Sequence, residues 1–321
     1  MRARFILILG FAFSLSCGPR PDQIAPEARI PVKAPVRLYF EREVSGRILG
    51  SDLKRPDGLA LDLQGNLFIT DAGNNRIIKF DKTGEPVKDY GGYGSGVGRF
   101  SNPADIAVDR SLSLYLLDAG NHRVVRLDMN LNYVDTIQPE DDPQAVVNNQ
   151  GLLTGIAVSP LNEITVADFD NSRLIRLDNF NRFNRYIGDF AYGKGALQSP
   201  LGLAVDGEGH VYAADAGNSR IAVYDDYGNY LYPVGADTLM YPSAVCVAAN
   251  GIIWVGDRRM NLIMAFAPDG KLLFSAGAAG GDNLTFSGIE ALAASSDDFL
   301  YLADSGNNRV MVYRIIYEEN R

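Results

Sequence analysis

From position 37 to position 317 the chain is a succession of short apolar runs in which hydrophobic and polar residues alternate or a few apolar residues stand together. This period of two, in runs bounded by Gly, Asn and Asp, predicts β-strands rather than helices. Six runs form a family of their own: Leu59-Ala-Leu61, Ile106-Ala-Val108, Ile156-Ala-Val158, Leu203-Ala-Val205, Val245-Cys-Val247 and Leu292-Ala-Ala294. Eleven positions after the small central residue of each stands an Asp: Asp71, Asp118, Asp168, Asp215, Asp257 and Asp304. That spacing does not vary, so a short hairpin such as Gln64-Gly-Asn66 must join the first strand to the second.

The second strand ends at the Asp, as in Leu67-Phe-Ile-Thr70, and a third begins at an Arg five positions on: Arg76, Arg123, Arg173, Arg220 and Arg309. The sixth copy carries Leu262 there. Between Asp and Arg lies a Gly- and Asn-rich turn, in which Gly73, Gly120, Gly217 and Gly306 are expected to take positive φ. A fourth, more variable strand leads to a Gly-rich link such as 91–102. The last repeat stops after its third strand, near Tyr317. A strand-like run, Arg37 to Val44, precedes the first repeat, where it can supply the missing fourth strand and close a ring without open edges.

Six four-stranded units closed in this way make an all-β six-bladed β-propeller. The pattern Asp-x-Gly-Asn-x-Arg, with Pro-x-Gly-[Leu/Ile]-Ala-Val before it and a Gly-rich link after it, resembles the NHL repeat of six-bladed propellers over essentially all of 37–317. The resemblance specifies the fold. The family includes lyases, RNA-binding domains, sensor domains and interaction scaffolds, so it implies no single activity.

Residues 1–36 lie outside the periodic pattern. Arg2 and Arg4, the apolar run Phe5 to Leu15 and the small residues before Cys17 predict a signal peptide over 1–16, too short to span a bilayer. Ser14-Leu-Ser-Cys17 resembles the lipobox of bacterial lipoproteins, with Ser14 where that motif usually has Leu. The resemblance implies lipidation of Cys17 and a membrane partner through the anchor. The Pro-rich segment that follows, 17–36, reads as a tether of roughly 50–60 Å reach at about 3.1 Å per residue. The propeller occupies 37–321, and the expected location is the bacterial cell envelope.

Composition narrows the partners. With 39 Asp and Glu against 30 Lys and Arg, a net charge of −9, the chain lacks the basic excess that phosphate contacts require, which argues against nucleic acid. Cys246 is the only cysteine besides Cys17 and replaces an Ala of the first strand, so it reads as a small core residue.

A side chain repeated in every blade does a job that every blade needs. The Asp and Arg series is therefore assigned to structure: the Asp accepts turn N–H groups, and the Arg forms a bidentate pair with a carboxylate. Function is expected where the repeat breaks. At the entry to the innermost strands, Asp57, Asp105 and Glu290 fall in repeats 1, 2 and 6, neighbours in a closed ring, and three carboxylates around one mouth suit Ca²⁺. No cofactor is otherwise implied. In repeat 5, Arg258, Arg259 and Met260 replace the Gly-Asn turn and form a candidate partner-binding patch.

The minimum parts of common enzymes are missing from the sequence. Only His122 and His210 are present, expected at opposite ends of a blade, short of the usual three-ligand catalytic zinc site. There is no Gly-x-Ser-x-Gly elbow. The expected function is a binding or scaffold module that presents a propeller face to a protein or small ligand. The alternative is a metal-dependent propeller enzyme, a lyase or lactonase, with its site at the channel mouth.

Overall fold

Each repeat folds as a four-stranded antiparallel sheet whose first strand lies innermost. A computed structural model describes residues 33–139, 151–189, 193–277 and 283–318, so the expected signal peptide and Cys17 fall outside the described residues. Blade 1 runs through Pro56–Leu61, Leu67–Asp71, Arg76–Phe80 and Pro86–Gly91, and blades 2 to 5 repeat this order. Blade 6 takes three strands from the C-terminal end and its outer strand from Pro35–Val44, which pairs antiparallel with Arg309–Tyr317. This is the closure expected from the sequence, extended by two residues to Pro35. The inner strand of every blade contacts that of the next, including blade 6 against blade 1, so the ring is complete.

Alternation along the inner strand builds the channel in layers. Asp57, Ala104, Thr154, Leu201, Ser243 and Glu290 circle its upper end. Two residues further along, Leu59, Ile106, Ile156, Leu203, Val245 and Leu292 surround a void of only about 50 Å³ and narrow the channel from below. The small central residues face large partners on the second strand: Ala60 opposite Phe68, Ala204 opposite Tyr212 and Cys246 opposite Trp254. Small against large fills the space between these strands, whereas in blade 3 Ala157 faces Thr165. Cys246 thus packs against the core of its blade, and burial pushes its thiol up to about 12, leaving no thiolate at neutral pH.

The six motif Asp side chains are all fully buried. In blade 2, Asp118 accepts bonds from the Arg123 Nε at 2.8 Å, from the Asn121 amide at 2.7 Å and from the Ser101 N–H at 2.7 Å. The expected bidentate pair does not form. One guanidinium nitrogen meets the motif carboxylate; in blade 2 the others reach the link carbonyls of Ser95, Gly96 and Arg99, while in blades 1 and 6 one of them meets a second carboxylate, Asp89 or Glu43. The physical reason is geometric: the Asp has already committed its oxygens to the turn and the link, so the Arg spends its remaining N–H groups on the link itself.

The glycines of the motif also differ from expectation. Positive φ falls on the fifth motif residue, φ 55° at Asn75 and 50° at His122, and not on Gly73 or Gly120. Glycine is required for close approach. A Cβ on Gly73 would sit 2.8 Å from the Lys54 carbonyl, to which the Gly73 N–H donates at 2.9 Å. Blade 5 lacks both Gly and Arg, and its Asp257 instead accepts four backbone N–H bonds, from Met240, Tyr241, Arg259 and Met260.

Arg123→Ala leaves a buried carboxylate short of its cation and should cost about 3 kcal/mol in urea unfolding. Leu262→Arg in blade 5 should give no comparable gain, because Asp257 is already satisfied. A stabilisation as large as the Arg123 loss would show that backbone N–H bonds do not substitute for the guanidinium.

Candidate functional site

The upper end of the channel opens into a cleft of about 360 Å³, on the face that carries the motif turns. The structure brings Asp57, Asp105 and Glu290 to this one mouth, together with Arg258. Of the expected blade 5 patch, only Arg258 joins the carboxylate rim. Arg258 follows the motif Asp of blade 5 and reaches across to blade 6, where its Nη1 lies 3.0 Å from Glu290 Oε1. Arg259 is exposed and does not line the cleft, while Met260 packs partly into the core between blades 4 and 5.

Each carboxylate has its own surroundings. Asp57 accepts from Arg55 Nε at 3.1 Å, and the Ser305 hydroxyl of blade 6 lies 3.1 Å from its other oxygen. Desolvation nevertheless raises its pKa above the ordinary range against the pull of Arg55. Asp105 stands in a slot that Gly or Ala fills in the other blades, where inner strands approach closely. Its oxygens accept the Ile106 N–H at 2.8 Å and the Ile156 N–H of blade 3 at 2.9 Å, stitching two inner strands together. Desolvation, reinforced by Asp57, pushes Asp105 up to about 7 despite these bonds. Glu290 is likewise pushed up to about 7 by desolvation, which outweighs the opposing pull of Arg258.

Asp57 and Glu290 are thus engaged with arginines, and Asp105 with backbone N–H groups. Among the described residues no group of three His, Cys, Asp or Glu side chains is gathered closely enough to hold a metal ion. His210 lies in the first hairpin of blade 4, its Nδ1 2.9 Å from Asp206 Oδ2, and His122 lies in the blade 2 motif turn.

Apart from Thr154 and Ser243, whose hydroxyls donate to the carbonyls of Pro200 and Ile289, the opposite half of the mouth is apolar. Leu152, Phe169, Leu201 and Tyr241 line it from blades 3, 4 and 5. Sequence reasoning missed Phe169, although the slot after the motif Asp reads Ala72, Ala119, Phe169, Ala216, Arg258 and Ser305, so the rule that singled out Arg258 also marks Phe169. It missed Arg55 for a different reason. Arg55 lies in a variable link, and only the fold shows that its backbone, held at φ 51°, donates its N–H to Asn308 of blade 6 and aims the guanidinium at Asp57.

A family model described as a 6-bladed beta-propeller matches residues 58–152, and an NHL repeat model matches 197–224. The chain is a six-bladed propeller, in which 197–224 matches the NHL repeat. The protein brain tumor of Drosophila melanogaster is 29% identical over 126 residues, which are 39% of this chain and only 12% of that protein. Among solved structures, a streptogramin B lyase is 13% identical with a TM-score of 0.63 over 86% of this chain and 88% of that one. Virginiamycin B lyase from Staphylococcus aureus, in an inactive form with quinupristin, is 15% identical with a TM-score of 0.60, covering 85% and 88%. A structural genomics protein of unknown function from Bacteroides thetaiotaomicron is 14% identical with a TM-score of 0.67, covering 86% and 73%. At these identities this propeller shares a fold with them and nothing more specific.

The raised carboxyls make stability depend on pH with a definite sign. The folded propeller holds the protons of Asp105 and Glu290 more tightly than the unfolded chain, so their ionisation costs stability as pH climbs from the ordinary carboxyl values, 3.8 and 4.5, through about 7. The melting temperature should fall between about pH 4 and about pH 7, and Asp105→Asn should flatten part of that fall. An equally steep profile in the variant would show that Asp105 is not the group responsible.

Proposed function

We propose that this propeller is a binding module of a bacterial cell envelope, which receives its ligand in the cleft at the channel mouth and is held to a membrane through lipidated Cys17. The observation that carries the reading is the division of the mouth, apolar along blades 3 to 5 and charged along blades 5, 6, 1 and 2, above a channel narrowed by aliphatic side chains. Apolar surface beside a few fixed polar groups suits selective capture. A closed ring also holds groups from all six blades in one rigid arrangement, so little ordering is needed on binding.

The connectivity supports an outward-facing mouth. The closing strand Pro35–Val44 begins beside Tyr317, at the end of the blade remote from the motif turns. A tether that ends there joins the face opposite the cleft. A membrane anchor at Cys17 would leave the mouth free.

A photo-cross-linking residue at Leu201 should trap the ligand in intact cells, whereas one at Leu63, exposed in the first hairpin of blade 1, should not. Filling the mouth with Thr154→Trp should abolish the Leu201 product. Cross-linking confined to the Leu63 face would overturn the site, and stoichiometric Ca²⁺ or Zn²⁺ in purified protein would favour the metal-dependent enzyme. Separately, Cys17→Ala should move the protein from the membrane fraction to the soluble fraction. Retention in the membrane fraction would exclude Cys17 as the anchor.

A further inference from the structure

We propose that the mouth recognises a carboxylate borne on an apolar body, specifically the C-terminal carboxylate of a polypeptide ending in an apolar residue. Arg55 and Arg258 take the carboxylate, and Phe169, Leu201 and Tyr241 take the terminal side chain. The inference rests on the mouth being the binding site and adds the chemistry of what enters it.

Exposure decides the sign of the ligand's charge. The side chains of Asp57 and Glu290 are 18% and 22% exposed, whereas those of Arg55 and Arg258 are 48% and 51% exposed. The reachable groups are therefore guanidinium donors. Arg258 spends its Nη1 on Glu290, and Arg55 spends its Nε on Asp57 and its Nη2 on Asn102. A guanidinium carries five N–H groups in a planar fork, so both retain donors for an added carboxylate. A cation would first have to displace the arginines from carboxylates they already cover.

The shape of the cleft selects a chain end. The mouth holds about 360 Å³, but the channel beneath it narrows to a void of about 50 Å³, so a polypeptide cannot thread through. A terminus enters with its end group deepest, and the donor arginines favour the carboxyl end over the amino end. The charged and apolar halves face each other across the same opening, which lets one terminal residue contact both.

The neighbouring carboxyls then couple binding to protons. Glu290 is faced by Arg258, Arg55 and Asp57, and Lys54 lines the adjoining hollow. An incoming carboxylate competes with Glu290 for Arg258. Uptake of a proton by Glu290 relieves that competition and removes a negative charge beside the ligand. Binding should therefore take up a proton and be several-fold tighter near pH 6 than near pH 8.

Fluorescence anisotropy of the full mature chain with a labelled hexapeptide ending in Ala-Phe-COOH tests the proposal. Its C-terminal amide should bind at least about ten-fold more weakly, a loss of about 1.4 kcal/mol, and a Ser-terminated acid should also lose affinity. Arg258→Gln and Arg55→Gln should each weaken the acid and leave the amide unchanged, while Arg258→Lys should restore part of the loss. Unchanged melting temperatures would show that these exposed substitutions leave the fold intact. Equal binding of acid and amide, with both competing for the Leu201 cross-link, would overturn the carboxylate chemistry while keeping the site. Binding of the acid without such competition would overturn the site itself. If N-acetylphenylalanine binds as tightly as the hexapeptide, the ligand is a free apolar acid and the polypeptide source is wrong.

Discussion

Six carboxylates without access to solvent sit at the ends of the second strands, and the rest of the propeller is arranged to satisfy them. A buried charge is costly unless every oxygen finds a donor. In blade 2 the donors come from three places: the motif turn, the Arg that opens the third strand, and the link arriving from the blade before; in blade 5, which has no such Arg, turn and link supply them all. Because the link is among them, Asp71, Asp118, Asp215, Asp257 and Asp304 each tie two blades together as well as capping their own. The same bonds set where the chain enters the inner strand, and hence where Asp57, Glu290 and their neighbours face the channel.

Regularity made the fold legible. An invariant spacing between a small inner-strand residue and an Asp can only describe one repeated unit, and the missing last strand could be matched to a run at the other end of the chain. Local geometry was less legible. Glycine at the third motif position suggested positive φ, but the constraint is a carbonyl of the preceding link, contributed by residues about twenty positions upstream. Sequence spacing within one repeat does not reveal such contacts between blades.

The candidate site shows the same division. Asp57, Asp105 and Glu290 stood out because they break the repeat, and they do share one mouth. Their chemistry could not be read from type alone. Asp105 is bound to two backbone N–H groups and Glu290 to Arg258, so the three are separately engaged instead of converging on one point. Blade 5 was conspicuous for what it had lost, yet its contribution is Arg258, placed where four other blades have Ala or Ser and blade 3 has Phe169. Arg55 was invisible because links vary in sequence, and its role depends on a backbone bond to Asn308 at the other end of the chain.

The shared last blade also has a temporal meaning. Arg309 and Glu43, joined across the closing sheet, are 266 positions apart, so the strand made first must wait for the strand made last. Long-range pairing of this kind carries a large loop-closure cost and comes late in folding. Until the C-terminal strand arrives, blade 6 holds only its two inner strands and Pro35–Val44 has no strand to pair with. The ring therefore matures as a unit, and a chain cut short anywhere before its final strand is left with an open seam, not merely a smaller ring.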